Sequence, residues 1–242
     1  ARAHEVPFII DAASFWILGL TFWLIRINRI PNEKSEKGEK GAAVAGLKFV
    51  FADGLIRSLV ILIAVLLISL SGVNVGSVFL AKDELHASNA IYGLIAAMFA
   101  VGSITGSLVT AAVKVPAKFH ALAVVLALIV LVATVMGMSL AWHWGVLFAL
   151  DFIAGIGNSV LNAYVFGIIM TRTPPEKLGR VSAAIGAIVQ AGSVLGLLIA
   201  GPAIAFFGVR EVLFVAATVS AVVVLVFSPP VLRAGRGHEV SK

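Results

Sequence analysis

The stretch LFALDFIAGIGNSVLNAYVFGIIMTRTPPEKLGRV, residues 147–181, decides how the rest of the chain is read. It opens as an apolar run and carries a carboxylate, Asp151, inside that run. At about 3.6 residues per turn, Asp151, Gly155, Asn158 and Asn162 fall on one helical face. The opposite face is Leu, Phe, Ile and Val. An acid in hydrocarbon costs roughly 2.5–3.5 kcal/mol to insert. Such a residue is expected to face a bundle interior or a wet cavity and to mark a functional site.

Working outward, the composition supplies the solvent. The 242 residues are 60% hydrophobic and 12% charged, with a mean hydropathy of +1.07. A soluble domain carries about 25% charged residues. The chain is therefore expected to be an all-α integral membrane protein embedded in a lipid bilayer. The net charge of +6 would suggest nucleic acid in a soluble protein. Here it fits basic cytoplasmic loops instead, so no nucleic-acid partner is expected. There is no cysteine, which excludes thiol catalysis and thiolate metal sites.

Seven runs approach the roughly 20 residues needed to span a bilayer: about 8–25, 58–80, 90–113, 119–141, 145–170, 181–206 and 210–232. The first is too long for a signal-peptide core, contains Asp11, and has its basic flank, Arg26 and Arg29, after it. It is read as a span with its N-terminus outside. A linker rich in Glu, Lys and Gly follows and cannot bury a core. In the next segment Leu47, Val50, Phe51 and Leu55 lie near one helical face. That segment either lies on the membrane surface or simply extends the second span. With the N-terminus outside, the segments expected to be cytoplasmic are 26–57, 114–118, 171–180 and the tail from 233. Together they hold 15 of the 18 Lys and Arg residues, the bias expected of cytoplasmic loops.

The turn Thr173-Pro174-Pro175-Glu176 has the spacing of a capping box that starts a helix. Gly102 and Gly106 have the spacing that lets two helices approach closely, a pattern that is also frequent by chance in Gly-rich spans. The second, third, fifth and sixth spans carry the polar side chains and most of the glycine. The fourth and seventh are nearly uniform aliphatic runs. Polar, Gly-rich helices are expected inside, and aliphatic ones against lipid. Spans two to seven thus repeat a pattern of two inner and one outer helix. That is a three-plus-three repeat, as in transporters built from inverted repeats.

Several short motifs carry a resemblance: Asp11-Ala-x-Ser14-Phe15, Leu55-Ile-Arg57, Tyr92-Gly93-Leu94, and above all Pro175-Glu176-x-x-Gly179-Arg180-Val181 followed by Gln190. With the charged linker, they make the chain resemble the major facilitator superfamily, closest to its bacterial drug, macrolide and siderophore exporters. The resemblance runs from the sixth family helix to the twelfth. It implies seven transmembrane helices. Residues 1–27 would be the last helix of an N-terminal half, 28–46 a cytoplasmic linker, 47–232 the six-helix C-terminal bundle, and 233–242 a cytoplasmic tail. The chain starts at Ala1 without Met and is expected to be a fragment, with the N-terminal half as its missing partner. The family's Gly-x-x-x-Asp-Arg-x-Gly-Arg-Arg loop belongs to that half. Its second-half echo is reduced here to Gly106, Lys114 and Lys118.

The resemblance implies a secondary transporter in the bacterial inner membrane. The expected activity is proton-coupled efflux of small amphipathic molecules, without a cofactor. Asp151 and Asp11 are the proton-coupling candidates, each with a structural carboxyl as the plainer reading. Asn158, Asn162, Gln190 and Asn74 are candidates for lining a substrate cavity. Glu176 and Arg180 sit at the cytoplasmic boundary as a gate or as anchors. The alternatives are a seven-helix receptor of the same topology, or a lysophospholipid carrier of the same superfamily. A retinal-type receptor lacks its Lys in the last span. An intramembrane hydrolase would need a buried His, and all five histidines lie at or beyond span ends. Gly155-Ile-Gly157 follows no strand and precedes no Lys, and no Walker sequence exists, so a nucleotide-driven pump is excluded for this chain.

Overall fold

A computed structural model describes residues 6–24, 42–113 and 115–236, and every regular element among them is helical. The remainder of the linker and the tail beyond Arg236 lie outside the described residues, as does Lys114. The chain divides into two compact units, Ala1–Lys40 and Gly41–Lys242. In the first, helix α1 (Val6–Leu24) has 19 residues, about 28 Å at 1.5 Å per residue. The hydroxyl of Ser14 donates to the carbonyl of Asp11 within it.

The second unit starts with a short helix, α2 (Ala42–Ala52). It does not simply extend the second span. Asp53 breaks the chain there and caps α3 (Gly54–Leu70), its Oδ1 accepting from the amides of Leu55 and Ile56 at 2.9 Å each. A side-chain oxygen in this place satisfies donors that a helix start leaves open. Helix α2 packs on the start of a later helix, α8 (Pro175–Phe207). Gly46 lies against the backbone of Arg180, and Val50 is buried with Val181 and Ala184.

Among the described residues six helices are long and apolar enough to cross a membrane. The first runs from Gly54 to Glu84 and consists of α3, α4 (Gly72–Phe79) and a π-helical turn, Leu80–Glu84, with a break at Ser71. Then come α5 (Asn89–Ala112), α6 (His120–Ser139, entered through a 3₁₀ turn), α7 (Trp144–Arg172), α8, and α9 (Val209–Arg236). Ser88 caps α5 and the imidazole of His143 caps α7. A single residue, Gly208, joins α8 to α9. Its φ of +92° is backbone that side-chain-bearing residues rarely adopt, and the Glu211 carboxylate folds against it.

The expected capping box does not form. Thr173 closes α7, its amide donating to the carbonyl of Ile169, and its buried Oγ1 has no partner. Helix α8 begins at Pro175 without a side-chain cap. Proline needs none at this position, because its missing N–H is one of the unpaired donors of a helix start.

Two helix pairs are drawn together by small residues. Between α5 and α7, Gly102 lies against the carbonyl of Phe152, Gly106 against Ile156 and Ser159, and Gly155 against the carbonyl of Phe99. Between α3–α4 and α8, Gly192 meets the carbonyl of Ala64, Gly196 meets Ile68 and Ser71, and Gly72 meets Ala200. Each seam carries a serine pair, Ser107 with Ser159 and Ser71 with Ser193. Without a hydrophobic force between helices in lipid, close backbone approach of this kind supplies the attraction. Helices α6 and α9 pack on each other, α6 also on α7, and α9 also on α3.

Helix α6 departs from the expectation of a lipid-facing span. Val124, Leu128, Val132 and Met138 are buried, and only one side, with Leu126 and Ile129, is exposed. Conversely, the Gly-rich α5 and α8 bury their glycine face and leave Ile104, Leu108, Leu195 and Leu198 exposed.

Candidate functional site

Helices α3 to α7 enclose a cavity of about 450 Å³. Its wall is mostly aliphatic, with Leu66, Leu70, Leu128 and Leu161. Into that wall are set the carboxylate of Asp151 and the amides of Asn74 and Asn158, together with the hydroxyls of Ser77, Tyr92 and Thr134. Among the described residues Asp151 is the only carboxylate in the lining, and no Lys, Arg or His lines it. It lies seven residues past Trp144, about 10 Å along the axis from the helix start. Among the described residues its carboxylate has no hydrogen-bond or ion-pair partner.

The sequence face and the observed face share Asp151 and Asn158 and differ in mean direction by about 50°, roughly a seventh of a turn. Asp151, Ala154, Asn158 and Leu161 line the cavity. Gly155 is turned away into the seam with α5. Asn162 is exposed outside the cavity, its amide donating to the carbonyl of Asn158 at 2.8 Å. Gln190 is exposed on α8 and lines no part of this cavity. Asp11 belongs to the other compact unit. Glu176 and Arg180 are exposed at the start of α8, away from the cavity. Of the candidates in the second unit, the structure thus brings Asn74, Asp151 and Asn158 to one cavity, and not Asn162, Gln190, Glu176 or Arg180.

Sequence reasoning missed Thr134 and Ser77. Thr134 sits on the aliphatic α6, where a lone Thr carries no visible signal. Tyr92 stood out only in a motif. Two ion pairs were also missed. At one end of the bundle Arg172 Nη1 stands 3.4 Å from Asp53 Oδ2, tying the end of α7 to the cap of α3. At the other end Arg210 Nε donates to Glu84 at 3.2 Å, and its Nη1 donates to the carbonyl of Ser139 at 3.2 Å. That group ties α9 to the π-helical turn and to the end of α6. Among the described residues no cluster of three or more His, Asp or Glu could hold a metal.

Six spanning helices, two glycine seams and an internal cavity with one carboxylate suit a carrier, and the family comparison decides the matter. The model of the Major Facilitator Superfamily matches residues 59–240. The chain belongs to that superfamily. No curated protein and no solved structure gives a significant match. Members of the Major Facilitator Superfamily are membrane transporters rather than enzymes, and the match takes in the first span from Leu59 and the five later spans whole. The bilayer and a small-molecule substrate are accordingly the partners of this Major Facilitator chain. The cavity beside Asp151 is its candidate site.

Proposed function

We propose that this chain supplies the C-terminal six-helix half of a twelve-helix, proton-coupled exporter of small amphipathic molecules. Such molecules would include drugs or siderophores. The observation that carries the reading is the cavity between α3 and α7, where one carboxylate stands in an aliphatic wall without a counter-charge. A buried charge left alone is costly. Two events relieve that cost, arrival of a proton and arrival of a cationic ligand. An exporter that alternates between the two exchanges proton for substrate at Asp151. Asn74 and Asn158 would orient the substrate, and the aliphatic wall would take its apolar body. Asn162 and Gln190, which do not line this cavity, would act in another conformation. Glu176 and Arg180 would anchor the cytoplasmic end.

The pairing of helices supports a three-plus-three repeat. Exchanging the first three spans for the last three maps the seam of α3–α4 with α8 onto the seam of α7 with α5. The same exchange maps α3 on α9 onto α7 on α6. The bare apolar faces of α5 and α8 would meet the other half, to which α1 would contribute its last helix. The distribution of basic residues favours an N-terminus outside and a C-terminus in the cytoplasm of a bacterial cell. Asp11 would then lie near the outer surface as a second, weaker proton candidate.

The test is transport by the full-length carrier in proteoliposomes under an imposed proton gradient. Asp151→Asn is expected to abolish gradient-driven export while substrate equilibration continues. Export that keeps its full dependence on the gradient would remove Asp151 from the coupling.

A further inference from the structure

A second cavity lies on the other side of the broken span. It is a crevice of about 510 Å³ between α3–α4, α8 and α9. Helices α8 and α9 are neighbours in sequence, joined only by Gly208, yet α9 packs chiefly on α3 and α6. They splay: the seam contacts of Gly72 with Ala200 and of Gly196 with Ile68 close the floor of the gap, and the small Ala203 and Ala216 leave room above it. Ile199, Val215 and Val219 on its margins are exposed, so the crevice opens sideways, where the bilayer would be.

Its chemistry is unlike that of the first cavity. Among the described residues the lining holds two polar side chains, Ser69 and Glu211. The hydroxyl of Ser69 is engaged with the carbonyl of Val65. Glu211, in the first turn of α9, forms no ion pair with a described residue. Its neighbour Arg210 is drawn away to Glu84 and to the carbonyl of Ser139. The end of α8, where Phe206 and Phe207 are 83% and 72% exposed, lies beside the charged Glu84, Arg210 and Glu211, and charged side chains at the end of a span mark the headgroup level. From Glu211 the crevice runs down α9 to Val219, eight residues or about 12 Å. One carboxylate at the headgroup level above a dry, laterally open slot matches a ligand with a cationic head and an alkyl tail.

We propose that this crevice is a lipid site that seats one acyl chain of an amine-headed phospholipid, with the ammonium at Glu211. The bilayer supplies this occupant directly, and no passage through the transport pathway is needed. An exposed ion pair discriminates weakly, so the headgroup preference is expected to be about two- to fivefold.

The experiment uses the full-length carrier in phosphatidylglycerol vesicles. The vesicles are doped with phosphatidylethanolamine carrying a diazirine on one acyl chain, or in parallel with phosphatidylglycerol carrying the same chain. After irradiation the adducts are mapped by mass spectrometry. The expected result is adducts on Ile199, Ala203, Val215 and Val219 in severalfold excess over the exposed side of α6 at Leu126 and Ile129. The amine-headed probe should lead. Glu211→Gln should bring the two probes level, and Ala216→Phe should clear both from the crevice without changing the labelling of α6. Ala203→Leu is the second filling variant should Ala216→Phe fail to fold. Even labelling of all lipid-facing sides, equal labelling by both headgroups in the unaltered protein, or labelling that survives the filled crevice would overturn the proposal. So would a crevice that no probe reaches, which would mean protein covers it.

Discussion

Two glycine seams run through this bundle, and a cavity lies beside each. The seam of α5 with α7 and the seam of α3–α4 with α8 use the same device: glycine against backbone carbonyl, with a serine pair beside it. The cavities differ. Among the described residues, the one enclosed by α3 to α7 holds a carboxylate, two amides and three hydroxyls, whereas the crevice by α8 and α9 has one carboxylate at its rim and one hydroxyl. The packing device therefore does not set the chemistry of the space next to it. Seams fix where helices stand. A few side chains further round each helix decide whether the remaining space holds polar or apolar matter.

The largest effect that would sharpen this contrast is on transport. Asp151→Asn is expected to cut gradient-driven export by at least about tenfold, the equivalent of about 1.4 kcal/mol in the barrier. Glu211→Gln should leave export intact in the same proteoliposome assay. Equal losses would erase the distinction between the two cavities. Next come the seams themselves. Gly102→Leu and Gly196→Leu each drive a side chain into a carbonyl and are each expected to cost about 1–3 kcal/mol or more. Both should lower the thermal unfolding midpoint in detergent. Gly186→Leu, with nothing within 4 Å of its Cβ position, should not. If only one seam variant unfolds the protein, the two seams are not equivalent.

A smaller effect belongs to the pair that joins the two seams at one end. Asp53→Ala removes the cap of α3 and the partner of Arg172. It should destabilise by about 1–2 kcal/mol, and Asp53→Asn, which keeps a capping oxygen, by less. The smallest effect concerns the turn between α7 and α8. Thr173→Val removes a buried hydroxyl without a partner among the described residues, so the protein should lose no stability and gain up to about 1 kcal/mol. A loss nearer the roughly 1 kcal/mol of a true cap would restore the capping box.

Much of the fold is legible in the residues. The second to seventh apolar runs each coincide with a spanning helix, because a bilayer demands about 20 apolar residues for each crossing and leaves few other choices. Gly102 and Gly106 do mark a contact. The site is legible in part. Asp151, Asn158 and Asn74 stand out because polar groups in hydrocarbon are expensive and rare. Thr134 does not, and neither does the burial of α6. In lipid, a buried Leu128 and an exposed Leu126 are the same choice of side chain, so an aliphatic run does not say which way it faces.

The sequence by itself thus determined the solvent, the number of long apolar helices from Gly54 onward, and the rarity of Asp151. Those follow from transfer energies that act on each residue separately. Only the tertiary structure decided that Gly155 serves the α5 seam while Ala154 and Leu161 line the cavity, that Gln190 stands apart, that Thr173 is no cap, and that Arg172 holds Asp53. Those outcomes depend on the rotation of each helix about its axis. That rotation is set by backbone-to-backbone approach between helices distant in sequence, which no local pattern of polarity records.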